Sequence, residues 1–494
     1  MNSAFDQIEF LLNDELVVLK DVNPNTTVLS YLRDSAGKIG TKEGCASGDC
    51  GACTVVLAEP NGNKLRYSTI NSCIAIIPAV NGKQVLTIEA LKSDNRLHKV
   101  QTAMVENHGS QCGFCTPGFV MSLFALKKNA LEKSEKGEES ISANMEEIEE
   151  ALSGNLCRCT GYRSIVDAAK QSLESDEKDQ FQRIESETIQ RLRDIDGDHQ
   201  TFSPKKIEKL ADLLLAYPKA TMLAGGTDLG LLITQNLVQF DVVIYLGKVK
   251  GLQILEVAED QINIGASVSY TQSHSVIKNE YPDWGRMMTR LGSLQIRNLG
   301  TIGGNIGNAS PIADMPPVLI ALNASITLQL GKQEREIPVE DYYIDYKVTC
   351  QQESEFIRTI HIPRSNPDYE LKIYKISKRF DDDISAVLGV FNVKLVDGVV
   401  NDVSIAFGGM AAIPKRAVNS ELALKGQPWN QETIDKAKLA LGTDYSPLSD
   451  MRASADYRMT VAQNLLQKCY LELSQPDLNV NVLSFEAKAV DRDA

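Results

Sequence analysis

EGCASGDCGAC, residues 43–53, sets Cys45, Cys50 and Cys53 in a C-x4-C-x2-C spacing. That is the plant-type spacing for three of the four thiolates of a 2Fe-2S cluster, and Cys73 stands downstream as a distant fourth. Holding two irons with four thiolates requires a loop that curls around the cluster, and glycines let its backbone amides approach the sulfides. Gly44, Gly48 and Gly51 meet that need. A four-cysteine zinc site normally pairs two CxxC knuckles and leaves the four-residue gap unexplained, so iron is the better reading and zinc the alternative.

Further along, QCGFCTPG (111–118) carries Cys112 and Cys115, and CRCTGYR (157–163) carries Cys157 and Cys159. Each loop offers two thiolates. CxxC by itself is shared with redox pairs and zinc knuckles, whereas C-x-C is less usual. Cys350 and Cys469 have no partner at ligand spacing and read as inert packed thiols. His98, His108, His199, His274 and His361 are scattered without an i, i+4 pair, and there is no nucleophile elbow or HExxH motif.

The 494 residues suggest about three domains, each long enough to bury a core. A formal charge of −14, with no block of Lys and Arg, argues against a nucleic-acid partner. The N-terminus lacks a basic region followed by an apolar one, and no segment reaches the roughly 18 unbroken apolar residues of a membrane span. The expectation is a soluble, cytoplasmic protein with no membrane partner, in a reducing compartment where thiols serve metals.

Short β-prone runs between Ile8 and Ile88, with turn signals at Asn13-Asp14, Asn61-Gly62 and Asn81-Gly82, predict a small sheet with a helix starting near Thr27. No proline falls between Pro117 and Pro204, and Phe119, Leu123, Leu126, Ile148 and Leu152 recur at helical intervals. Thr116 and Ser164 are the expected N-caps, so helices begin just after both cysteine pairs. The charged stretch 173–200 reads as a tether with helical tendency. Beyond it the composition is ordinary α/β, and a last unit carries β runs ending in SIAFGGM, then helices from Glu432 to Leu473.

LAGGTDLG (223–230) and GTIGGNIGNASPIAD (300–314) pair glycines with small hydroxyl and amide residues. Such loops suit a diphosphate, because consecutive N–H groups make a concave anion site without a basic residue. Neither matches a dinucleotide or Walker pattern, so either loop alone is also readable as a simple turn.

Taken together, EGCASGDCGAC, QCGFCTPG and CRCTGYR resemble the cluster motifs of the xanthine oxidase family of molybdenum hydroxylases, and the two glycine loops resemble that family's FAD-binding walls. The resemblance runs from Ile8 to about Leu473 and implies a multidomain α+β fold. Its parts are a ferredoxin-like β-grasp 2Fe-2S domain (1–90), a helical-bundle 2Fe-2S domain (91–172), the charged linker (173–200), an α/β FAD-binding domain (201–366), an α+β C-terminal flavoprotein domain (367–478) and a tail (479–494). It implies two 2Fe-2S clusters, on Cys45, Cys50, Cys53 and Cys73 and on Cys112, Cys115, Cys157 and Cys159. It also implies FAD between Leu223, Ala224, Gly225, Gly226, Thr227, Asp228 and Leu229 on one side and Thr301, Gly304, Asn305, Asn308 and Asp314 on the other, with Ile357 and Lys375. Gln111 and Cys159 match positions that touch the pterin. Asp381, Asp382 and Asp383 fall in a loop beside the flavin, where a solvated charged loop is an equal reading. Leu291 replaces the aromatic ring that mammalian members set against the flavin.

The substrate-oxidising molybdopterin domain is not in this sequence, so the resemblance implies a separate large molybdopterin-binding subunit, two of each chain, and NAD as electron acceptor. Fusion of both cluster domains with the flavin domain favours hypoxanthine and xanthine oxidation to urate. Another molybdenum partner, for aldehydes or N-heterocycles, is the alternative, and a zinc-stabilised scaffold without catalysis is the reading from a different class.

Overall fold

The computed structural model of the protein describes residues 5–135, 143–174, 178–195, 202–475 and 478. The expected tail and His199 lie outside the described residues. The first unit is a five-stranded sheet in the order β2-β1-β5-β3-β4. Its hairpins are β1 (Phe5–Leu12) with β2 (Glu15–Val22) and β3 (Thr54–Asn61) with β4 (Lys64–Asn71), and β5 (Gln84–Leu86) runs parallel to β1. The turns fall at Asn13 and Gly62, both at positive φ. Thr27 starts α1 (Val28–Ser30) as expected, its Oγ1 accepting from Ser30 N at 3.1 Å.

The second unit packs α2 (Lys99–Glu106), α3 (Thr116–Glu135), α4 (Met145–Leu152) and α5 (Arg163–Leu173). Two expected caps move. Thr116 already lies within α3 and shares its hydroxyl hydrogen bond with Ser110 at 2.7 Å. α5 begins one residue before Ser164, because left-handed Tyr162 presents its carbonyl to Ile165 N and Val166 N. Both helices still start just after a cysteine pair.

The expected tether carries two helices, α6 (Gln180–Arg183) and α7 (Glu185–Ile195). Their apolar residues Phe181, Ile189, Leu192 and Ile195 enter one core with Leu11, Val56 and Phe124. Spacing of three residues from Ile189 to Leu192 to Ile195 puts these on one helix face, which charge composition had masked. Asp179 pins the entry to this strap: Lys128 Nζ lies 3.0 Å from it and His98 Nε2 3.3 Å, and the same ammonium sits 4.9 Å from the Tyr67 ring centre. Burial opposes the Asp179 charge, but the His98 contact and the Lys128 ammonium outweigh it and hold its pKa down at about 2.

The third unit begins with α8 (Ile207–Ala216), β6 (Thr221–Leu223), α9 (Leu229–Thr234) and β7 (Val243–Tyr245), where β6 and β7 pair in parallel. β8 (Leu255–Val257) and β9 (Gln261–Gly265) follow, then α10 (Tyr270–Glu280), α11 (Pro282–Thr289), α12 (Leu294–Arg297), α13 (Ile302–Gly307) and α14 (Met315–Ala321). β10 (Ser325–Leu330), β11 (Gln333–Pro338) and β14 (Phe356–Pro363) complete an antiparallel sheet in the order β11-β10-β14-β9-β8, with a small hairpin of β12 (Tyr343–Asp345) and β13 (Val348–Thr349) beside it. The last unit sets β15 (Tyr369–Ile376), β16 (Val387–Val396), β17 (Val399–Gly408) and β18 (Lys415–Arg416) against α15 (Val418–Leu424), α16 (Gln431–Asp444) and α17 (Ala455–Ser474).

The units do not each keep a private core. Ile8, Phe10 and Val85 of the first sheet pack with Leu210, Leu223 and Tyr245 of the third unit, and Leu388, Val390 and Ala406 of the last unit join the core of the third.

The Asp179 pin gives a direct test. Asp179→Ala takes the carboxylate from a buried ammonium, a change that costs about 3 kcal/mol at sites of this kind. Urea unfolding should show that loss, and trypsin should cut sooner at Arg183, Arg191 and Arg193 in the released strap.

Candidate functional site

The 43–53 loop folds back so that its thiols converge with Cys73, which follows β4. Cys45 Sγ meets the thiols of Cys50 and Cys73, and Cys53 meets Cys73. Backbone amides point at the same sulfurs: Ser47 N and Asp49 N lie 3.4 and 3.3 Å from Cys45 Sγ, and Cys45 N lies 3.4 Å from Cys50 Sγ. A β-carbon on Gly44 would stand 2.7 Å from Cys50 Sγ, so glycine is required for the loop to wrap that tightly. Hydrogen bonds from neighbouring thiols pull Cys45 and Cys53 below the ordinary thiol range, and the same contacts push Cys50 and Cys73 above it. The four compete for protons, and only a positive charge among them lets all four ionise together. This donor set fits an iron-sulfur cluster.

The second set is more open. Cys115 meets Cys157 and Cys112 meets Cys159. Burial, then the Cys157 contact, pushes Cys115 up to about 12. Cys157 Sγ accepts from Thr160 N at 3.4 Å and Thr160 Oγ1 at 3.2 Å, which outweighs its burial and lowers its pKa. Cys112, Cys159 and Gln111 are exposed, as are Phe114 and Leu156 beside them. Among the described residues no three His, Cys, Asp or Glu side chains are disposed around a single ion. Thiols that close in pairs suit two irons, each held by two of them.

The two glycine loops enclose a cavity of about 820 Å³. Its lining includes Ala224, Gly225, Gly226, Thr227, Asp228 and Leu229 on one side and Thr301, Gly304, Asn305, Asn308 and Asp314 on the other, with Ile357, Lys375 and Leu291. Leu223 is not in this lining; it belongs to β6 and is buried beneath the loop. The loops touch backbone to backbone, because a β-carbon on Gly225 would stand 1.9 Å from Leu299 O. At Gly304 the added carbon would meet only Thr301 Oγ1, at 2.9 Å, so that glycine faces the space a ligand would take. Gly303 differs, since its β-carbon would strike the Ala266 backbone at 2.6 Å.

Several polar groups line the cavity. Lys375 Nζ lies 2.7 Å from Asp314 Oδ2 and 2.8 Å from Ser385 Oγ, and Ser385 Oγ donates to Asp314 Oδ1 at 2.6 Å; all three side chains are buried. Asn305 Oδ1 and Asp382 Oδ2 are buried without a hydrogen-bond partner, which leaves acceptors for a ligand. Burial, then the nearby Asp49 charge, pushes Asp382 up to about 6. Arg290 lies 4.3 Å over the Phe380 ring and donates to Phe380 O and Lys375 O, which holds down the 377–384 loop. Asp383 also lines the cavity, whereas Asp381 does not.

Motif reading missed the residues that join this cavity to the first thiol set. Ser47 and Asp49, inside the cysteine loop, line the cavity itself. Thr234 Oγ1 and Gln235 Nε2 donate to Ala46 O at 2.7 and 2.9 Å, and a β-carbon on Gly230 would stand 2.2 Å from Ile74 O, next to Cys73. Nothing in local spacing signals contacts made across some 190 residues of chain.

The same division emerges from comparison with known proteins. Residues 11–77 match the 2Fe-2S iron-sulfur cluster binding domain, and residues 87–170 the [2Fe-2S] binding domain. Residues 197–365 match the FAD binding domain in molybdopterin dehydrogenase, and residues 372–473 the CO dehydrogenase flavoprotein C-terminal domain. The chain belongs to the xanthine oxidase family of molybdenum hydroxylases.

Among its relatives in that family, xanthine dehydrogenase of Emericella nidulans is 31% identical over 98% of this chain and 40% of its own length. Xanthine dehydrogenase 1 of Arabidopsis thaliana is 29% identical over 97% of this chain and 41% of its own. The chain thus spans about 40% of the curated relatives it matches. Carbon monoxide dehydrogenase from Hydrogenophaga pseudoflava shares the fold at 24% identity and a TM-score of 0.52, over 54% of this chain and 93% of that one. Quinoline 2-oxidoreductase from Pseudomonas putida does so at 21% and 0.52, over 56% and 96%. This family member therefore carries two 2Fe-2S domains, an FAD-binding domain and a flavoprotein C-terminal domain.

The Asp382 carboxyl yields a pH test. Its folded pKa of about 6 lies above the unfolded value, so the folded state holds this proton more tightly and loses that advantage as pH rises from about 4 to about 6. Asp382→Asn removes the cost. It should raise unfolding stability by about 2–3 kcal/mol at pH 7, and the gain should shrink towards pH 5.

Proposed function

We propose that this chain is the electron-carrying subunit of a cytoplasmic, NAD-dependent xanthine dehydrogenase that oxidises hypoxanthine and xanthine to urate. It would work with a large molybdopterin-binding subunit, in an assembly of two small and two large chains. The observation that carries this reading is continuity: the cavity between the glycine loops takes Ser47 and Asp49 from the same loop as Cys45, Cys50 and Cys53. When bound, the clusters carry single electrons, and the flavin collects two and delivers them to NAD as hydride.

The chain's own residues divide the work. Cys45, Cys50, Cys53 and Cys73 would hold one cluster against the cavity, and Cys112, Cys115, Cys157 and Cys159 the other at the surface, where Gln111 and Cys159 face the partner's pterin. The 223–229 and 301–308 loops would cradle the FAD diphosphate with backbone amides. Lys375, fixed by Asp314 and Ser385, would offer its ammonium as a donor to the cofactor from the cavity wall, which Ile357 also lines. The identity of about 30% to xanthine dehydrogenases across nearly the whole chain supports purines over aldehydes or other N-heterocycles.

Metal and flavin analysis tests the assignment. The purified brown chain should contain two irons and two acid-labile sulfides per cluster, and one FAD, without oxidising xanthine alone. Zinc in place of iron, or xanthine turnover without a second subunit, would contradict it.

Cys45→Ser and Cys112→Ser should each abolish one of two distinguishable electron paramagnetic resonance signals and leave FAD bound. Gly304→Val pushes a branched side chain into the cavity. FAD content should fall, both cluster signals should stay, and NAD reduction should be lost while an artificial one-electron acceptor is still reduced.

A further inference from the structure

One hydrogen bond joins the two thiol sets through the backbone: Leu156 N, next to Cys157, donates to Cys50 O at 3.0 Å. Its neighbour Asn155 is 2% exposed and makes four hydrogen bonds through its side-chain amide. Oδ1 accepts from Ser122 Oγ at 2.6 Å and from Gln295 Nε2 at 3.1 Å, and Nδ2 donates to Gly51 O at 3.1 Å and to Thr54 Oγ1 at 3.3 Å. These are the bonds one amide can make, and they go to three units of the fold: the first sheet, the bundle through α3, and the flavin unit through α12.

The backbones meet here at contact distance. A β-carbon on Gly51 would stand 2.3 Å from Gly154 O, and one on Gly118 2.2 Å from Gly51 O. A β-carbon on Gly154 would strike Gln295 Oε1 at 2.2 Å. Gly51 also has φ +65, so this turn depends on glycine twice over. Such packing sets how closely the surfaces approach but does not set their register. The directional bonds of Asn155 do that, and Leu156 N follows them onto Cys50 O.

We propose that Asn155 is the positioning residue for electron transfer between the two thiol sets, because its amide locks the 154–156 segment in the one register that keeps the Leu156–Cys50 hydrogen bond made. This rests on the reading of both sets as 2Fe-2S sites. The transfer moves one electron from one cluster to the other, with no bond made or broken and no proton moved. A tunnelling rate falls exponentially with the gap, so replacing a hydrogen bond by a through-space jump slows transfer without removing either cluster.

The test uses the full chain loaded with iron, sulfide and FAD, comparing Asn155→Ala with the milder Ser122→Ala. The readouts are iron content, the two cluster signals, exchange of the Leu156 amide hydrogen, and the rate at which an electron introduced by pulse radiolysis redistributes between the clusters. In Asn155→Ala both signals should remain, the amide should exchange faster, and redistribution should slow by about tenfold or more, as ångström-scale misplacement does where geometry sets a rate. Ser122→Ala should show the same changes in smaller degree, and it carries the test if Asn155→Ala does not fold. An unchanged redistribution rate despite faster amide exchange would overturn the proposal. Loss of a cluster in both variants would also overturn it, by making the junction part of a cluster site. Absence of both signals from the unsubstituted chain would instead remove the cluster reading beneath it.

Discussion

Backbone-to-backbone contact at glycine is the constraint on which the remaining architecture depends, because sites that exchange electrons must lie close together even when separate folding units hold them. Side chains would keep two units several ångströms further apart. Gly51 lies against Gly154 O, Gly230 against Ile74 O and Gly225 against Leu299 O, and in each case a β-carbon would stand under 2.5 Å from a carbonyl oxygen. These contacts bring the first thiol set to the second thiol set, to the cavity wall and, through that wall, to the opposite glycine loop.

Close approach is useful only if the units cannot shift, and the shared cores supply that rigidity. Apolar residues of the first sheet pack with α8 and β6, while β3 packs with α3 and α7. Polar contacts add direction to this non-directional attraction. Arg297 reaches Glu150 of the bundle at 2.7 Å, and Asn298 Nδ2 donates to Thr69 O of β4 at 2.8 Å. Both lie in the segment that leads into the second glycine loop, so the loop's position is referenced to two other units at once.

The two thiol sets differ in exposure in a way that suits the proposed relay. Cys53 and Cys73 are almost wholly buried and share a core with Leu231 and Ile296, which line the cavity, whereas Cys112 and Cys159 are exposed beside Phe114 and Leu156. A buried site exchanges electrons with its interior neighbours, and an exposed one can meet a partner. At the cavity, the Lys375 ammonium is paired with Asp314, and burial together with the Asp49 charge holds the Asp382 carboxyl at about 6, above the ordinary carboxylate range.

The amino-acid sequence by itself carried the thiol spacing within each loop, the glycine turns that suit a diphosphate and the order of the units, because these properties reside in short spacings and local turn chemistry. EGCASGDCGAC needed no partner segment to be read, and the turns at Asn13 and Gly62 follow from residue type. Only tertiary structure decided the remainder. The charged stretch 173–200 concealed a helix face that packs, since a few apolar residues at helical spacing acquire meaning only when a surface receives them. Leu223 left the cavity lining for the core because strand register buries it. Ser47, Asp49, Thr234 and Asn155 entered the site through contacts distant in sequence, and hydrogen bonds between remote segments leave no periodic trace in the chain that makes them.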